Sequence, residues 1–70
     1  MTKMNRILLT GAAGGLGTFL RKELPAYSEH LRLSDRVLLE VEADHEEVVT
    51  CDLTDRDTVF EMTRDVDMIV

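Results

Sequence analysis

The stretch ILLTGAAGGLGTFL, residues 7–20, holds all four glycines of the chain, Gly11, Gly14, Gly15 and Gly17, between two apolar runs. One or two glycines make a turn, so the others need a further reason. A glycine between a strand and a helix can do three separate jobs. It adopts positive φ, it lets another molecule approach the backbone, and it lets the helix pack close to the strand. The helix that follows presents unpaired N–H groups and a partial positive charge, where a phosphate fits without a lysine. The stretch is not a P-loop, which requires Gly-Lys-Ser/Thr at the helix start; here the chain runs Gly-Leu-Gly-Thr. It reads instead as a pyrophosphate site, with Gly11, Gly14, Gly15, Leu16 and Gly17 as its residues.

The flanks carry the elements that this reading needs. RILLT, residues 6–10, is an apolar run ended by glycine and suits a buried parallel strand. Leu16, Leu20 and Leu24 recur every four residues with Phe19 beside them. That pattern predicts a helix with Arg21, Lys22 and Glu23 on its other side. Pro25 ends this helix at or before Leu24. LRLSD, residues 31–35, alternates and predicts a second strand; residues 36–46 read as a loop. EVVTCD, residues 47–52, is β-branched and predicts a third strand. Thr54 and Asp57 have the spacing of a capping box, here with the shorter acid. The helix they open has Val59, Met62 and Val66 on one face and Phe60 at its edge. DMIV opens a fourth strand. The order βαββαβ in a small chain predicts a Rossmann-like α/β fold with a parallel sheet and right-handed crossovers.

Two acids stand where a dinucleotide needs them. Asp35 ends the second strand 18 residues after Gly17. An acid about 20 residues past the glycines accepts hydrogen bonds from the adenosine ribose hydroxyls. Its charge repels a 2′-phosphate, which favours NAD over NADP. Arg36 offers either a partner for such a phosphate or a stacking surface for adenine. Asp52 ends the third strand; its carboxylate can accept from the adenine amino group while the Leu53 N–H faces a ring nitrogen. The bland alternative for Asp52 is an Asx-turn.

Composition limits the remaining classes. Seventy residues make at most one small domain, and 44% hydrophobic with 31% charged residues is ordinary for a folded chain. No apolar run approaches the roughly 20 residues of a membrane span, and the start lacks the pattern of a signal peptide. The net charge of −6 argues against nucleic-acid binding. Residues 1–36 hold six Lys/Arg against three Asp/Glu, and residues 37–70 hold two against eleven. The acidic second half reads as a solvated face. One cysteine, Cys51, excludes an internal disulfide and fits a reducing, cytoplasmic setting. His30, His45 and Cys51 lack metal-ligand spacing, so no metal is expected. The chain stops at DMIV, inside an apolar run and without a cap or turn. We therefore expect residues 1–70 to be the N-terminal part of a dinucleotide-binding domain, with the rest of the domain and the catalytic half beyond it.

TGAAGGLG, LRLSD and VVTCDLTD together resemble the extended short-chain dehydrogenases/reductases, the NAD-dependent epimerase/dehydratase family. Within it, the run RILLTGAAGGLGTFLRKEL…EHLRLSD…EEVVTCDLTD is most similar to uronate dehydrogenases. The resemblance spans nearly the whole chain, least convincingly at residues 36–46. It implies an NAD-binding Rossmann domain and, in the longer protein, oxidation of galacturonate or glucuronate at C1 to an aldarolactone. It implies a small sugar-acid substrate, and any homo-oligomeric contact falls to the missing region. By position, Gly11, Gly14, Gly15, Leu16 and Gly17 carry over to the pyrophosphate loop, Asp35 and Arg36 to the ribose, and Asp52 and Leu53 to adenine. The family's Tyr-x-x-x-Lys pair does not carry over. The one tyrosine, Tyr27, is followed four residues later by Leu31, and the only lysines are Lys3 and Lys22. No catalytic residue is therefore assigned. Two other readings use the same residues: a nucleotide-sugar epimerase or dehydratase, and a non-catalytic NAD(P)-binding or sensing module.

Overall fold

The structure, a computed structural model, describes residues 3–70. Its elements are β1 (Met4–Thr10), α1 (Gly15–Glu23), a 3-10 turn (Leu24–Ala26), β2 (Ser28–Asp35), β3 (Glu46–Thr50), α2 (Arg56–Met62) and β4 (Met68–Ile69). All strand pairs are parallel, in the order β3-β2-β1-β4. The chain builds outward from β1 through β2 to β3, then crosses back to lay β4 on the other side of β1. That reversal opens a crevice beyond the carboxyl ends of β1 and β4.

The two helices cover opposite faces. Ile7, Leu9, Ala12, Leu31 and Leu33 form one core, with Leu20 and Leu24 packed on it. Leu8, Cys51 and Met62 form the other, joined by Val49, Val59 and Val66. Ile7, Leu8 and Leu9 are all fully buried because β1 is covered on both sides. That explains a continuous apolar run where a half-exposed strand would alternate. Each such side chain contributes roughly 1.5–3 kcal/mol relative to exposure. The architecture is the Rossmann-like α/β sheet that the sequence predicts, and residues 36–45 connect β2 to β3 without regular structure.

Three local expectations are corrected. The stripe of α1 that faces the sheet is Gly17, Leu20, Arg21 and Leu24. Leu16 and Phe19 stand out at 72% and 59% exposure. The cause is Gly17: a Cβ there would lie 2.3 Å from the Gly11 carbonyl oxygen and 2.8 Å from the Ala12 Cα. The helix is docked by this contact, and positions i+3, i+4 and i+7 from Gly17 follow it inward. Arg21, expected on the outer side, has a side chain only 12% exposed. It reaches across to Glu46 at the start of β3, its Nε lying 2.7 Å from Oε2. The capping residue of α2 is Asp55, not Thr54. The Asp55 carboxylate accepts from Asp57 N–H at 3.1 Å and Thr58 N–H at 3.2 Å, so α2 starts later than the Thr54–Asp57 spacing suggests. Strand bounds also shift: β1 begins at Met4, β2 at Ser28, and β3 covers Glu46–Thr50.

Candidate functional site

The glycine loop leaves β1 at Thr10 and is held by the end of β2. Ala12 N–H donates to Ser34 O at 3.1 Å, and Ala13 N–H to Asp35 Oδ2 at 3.0 Å. Gly14 N–H closes a turn onto Gly11 O at 3.1 Å. Gly11 has φ +63, a conformation that other residues adopt at a cost. The first bond into α1 runs from Thr18 N–H to Gly14 O. The N–H groups of Gly15, Leu16 and Gly17 therefore have no partner within the helix. Gly14 is the N-cap and supplies no side chain to fill them. The first turn holds no acid, while Arg21 and Lys22 sit in the last turn. The helix start is thus a donor cluster with no acidic side chain in its own first turn.

The four glycines fall into two pairs. Gly11 is required by its φ and Gly17 by the contact against Gly11 and Ala12. Gly14 and Gly15 are not required by the protein. A Cβ on Gly14 would meet only Gly11 O, at an ordinary 3.4 Å, and one on Gly15 would meet nothing within 4 Å. That space lies beside the three open N–H groups. The residues therefore suit a phosphate-bearing ligand laid against the backbone.

Asp35 lies at the end of β2 beside this loop. Besides Ala13, it accepts Val37 N–H through Oδ1 at 3.1 Å. The Val37 and Ala13 N–H groups hold its carboxyl below the usual aspartate range, so it is ionised at neutral pH. A cavity of about 150 Å³ opens next to it, lined by Thr10, Gly11, Ser34, Asp35, Arg36, Cys51 and Leu53. A second, of about 170 Å³, lies on the far side of Thr10–Gly11 and is lined by Leu16, Gly17 and Val70 among others. Both open at the carboxyl ends of the strands. Arg36 is exposed and forms no ion pair among the described residues.

Asp52 and Leu53 separate. Leu53 lines the cavity beside Asp35 and is 69% exposed. Asp52 does not line it. Its Oδ1 accepts both the N–H and the hydroxyl of Thr54, each at 2.9 Å, which makes the Asx-turn the geometry observed. These bonds lower the Asp52 pKa below the ordinary value. Thr10, Ser34 and Cys51 are additions that the sequence reading did not select. Their only signal was position, since each lies at or near the end of a strand in a parallel sheet. Cys51 is 2% exposed, and desolvation pushes its thiol upward.

A concavity of about 600 Å³ lies between α1 and residues 42–46 and contains none of the candidate residues. Arg21, which lines it, is already engaged by Glu46 and Glu42. Among the described residues no group of side chains is arranged to hold a metal, and no helix is long and apolar enough to cross a membrane.

A doubly wound parallel sheet with a glycine loop entering a helix beside the crevice defines the Rossmann-like class. No protein-family model matches the chain. Over 99% of its length the chain is 51% identical to a uronate dehydrogenase of Pseudomonas putida and 53% identical to one of Pseudomonas syringae pv. tomato. It spans about a quarter of each relative, 26% of their length. A crystal structure of uronate dehydrogenase from Agrobacterium tumefaciens, a point mutant complexed with NAD, superposes with a TM-score of 0.90 at 44% identity. That match covers 94% of this chain and 25% of the other.

Proposed function

We propose that this chain is the N-terminal, dinucleotide-binding part of an NAD-dependent oxidoreductase of the uronate dehydrogenase kind, within the extended short-chain dehydrogenase/reductase family. The carrying observation is the second pair of glycines. The packing leaves room for a Cβ at Gly14 and Gly15, so it does not require glycine there, and both lie at the three N–H groups that have no acceptor within the helix. A pyrophosphate supplies that acceptor. The loop Gly11, Gly14, Gly15, Leu16, Gly17 binds it, Asp35 orients the adenosine ribose, and Leu53 and Arg36 bound the adenine. Asp52 contributes through its free Oδ2 or through the turn that presents Leu53. The ionised Asp35 disfavours a 2′-phosphate, which favours NAD over NADP.

When bound, NAD supplies the hydride acceptor for C1 of galacturonate or glucuronate. Residues of this chain bind and orient the adenosine end; the proton acceptor lies outside it. Tyr27 does not serve, since it precedes β2 at the amino edge of the sheet, where its carbonyl accepts Met4 N–H. The buried, unpaired Cys51 suits a reducing cytoplasm. The test is NADH formation by the full-length protein with each sugar acid. Rapid formation with either supports the reading. NAD binding without turnover of either acid moves the protein to another member of the same family. Absence of NAD binding overturns the cofactor assignment.

A further inference from the structure

Asp35 does more in this structure than stand at the end of a strand. Its two oxygens are each occupied by a backbone N–H, Ala13 on one side and Val37 on the other. The neighbouring Ser34 carbonyl takes Ala12 N–H. Two consecutive residues of β2 thus hold two consecutive residues of the glycine loop. Ala13 is exposed and has no other hydrogen bond to hold its N–H. Gly14, the cap of α1, follows directly, so the direction of the Gly15, Leu16 and Gly17 N–H groups depends on where Ala13 is pinned.

We propose that Asp35 is a positioning residue for the glycine loop, acting through Ala13 N–H, so that its loss weakens pyrophosphate binding whether or not the ligand has adenosine ribose hydroxyls. This rests on the cofactor reading above and adds a second role to the acid. Ribose recognition needs a charged acceptor facing the ligand; loop positioning needs only an oxygen facing Ala13. The two roles separate chemically. Asp35→Asn loses the charge and keeps one oxygen, which Ala13 and Val37 N–H then compete for, and Asp35→Ala loses both.

The experiment compares NAD with an NAD analogue whose adenosine ribose lacks both hydroxyls, bound to the full-length protein. It is read by calorimetry together with hydrogen exchange at the Ala13 amide. Asp35→Ala weakens both ligands by about tenfold or more, the scale of one hydrogen bond to a charged group. It also accelerates Ala13 exchange. In Asp35→Asn analogue affinity follows Ala13 exchange: it stays close to wild type where exchange stays slow and falls where exchange is fast, and the opposite pairing overturns the proposal. If Asp35→Ala binds the analogue as tightly as wild type, the acid acts only through the ribose and the proposal fails. If Asp35→Ala does not fold, Asp35→Ser, whose shorter side chain draws the acceptor away from Ala13 N–H, decides instead: analogue affinity equal to wild type overturns the proposal. Should the wild-type protein bind neither ligand, the cofactor reading falls and takes the pyrophosphate role with it. Unchanged Ala13 exchange in Asp35→Ala separately removes the loop contact.

Discussion

The two ends of the sheet treat their polar groups differently. At the amino end several charged groups are engaged by the protein itself. Arg32 donates from Nη1 to Met62 O at 2.8 Å and Arg64 O at 2.6 Å, closing the C-terminus of α2. Its Nε meets Glu47, which Arg6 also approaches at 2.6 Å. Asp67 accepts the Asn5 and Arg6 N–H groups at the start of β1. At the carboxyl end the helix α1 opens with three N–H groups that nothing among the described residues accepts, near a cavity lined by an ionised acid. The same backbone chemistry is closed off at one end and left open at the other. Donors at an exposed helix start are met by water or by a ligand, so the open end is the one that keeps free hydrogen-bonding capacity.

The largest test of this contrast lies within the loop. Gly17→Ala drives a Cβ into the Gly11 carbonyl and Ala12. It should lower stability by about 3 kcal/mol or more despite alanine's better helix propensity. Denaturant unfolding of the full-length protein measures it; a neutral result would mean that α1 does not dock as described. Next is the closed end. Arg32→Met strips the last carbonyls of α2 of their donor and leaves Glu47 with Arg6 alone. We expect a loss of about 2 kcal/mol with NAD affinity retained. A loss of affinity without a loss of stability would break the distinction between the two ends. The smallest stability effect, and the sharpest for the site, is Gly15→Ala. Its Cβ enters open space, so the unfolding midpoint should stay or rise by under about 1 kcal/mol. NAD affinity should fall by about tenfold, one hydrogen bond's worth. Unchanged affinity in a calorimetric titration would return Gly15 to the category of turn residues.

Much of the fold was legible because it depends on local pattern. The apolar run of β1, the glycine loop, the proline after Leu24 and the alternation in LRLSD each act within a few residues. What was misjudged depended on contacts between segments, which helix and strand periodicity does not record. Arg21 is charged and follows the helix period of a solvent face, yet it is drawn in by Glu46, 25 residues away. Leu16 has the period of a core residue, yet the Gly17 contact turns it outward. In each case a partner invisible to periodicity decided the outcome.

The sequence by itself determined the element order, the parallel sheet, and a glycine-rich strand-to-helix turn followed by an acid at the end of the next strand. Those features arise from short-range sterics and hydrophobic period, which a string of residues records directly. Only the tertiary structure decided which glycines the packing requires and which have open space at the Cβ position. It alone showed that Asp35 grips the loop through Ala13 and that Thr10, Ser34 and Cys51 share its cavity. Those facts depend on where separate strands end relative to one another. That alignment is set by sheet register and helix docking, which no local pattern specifies.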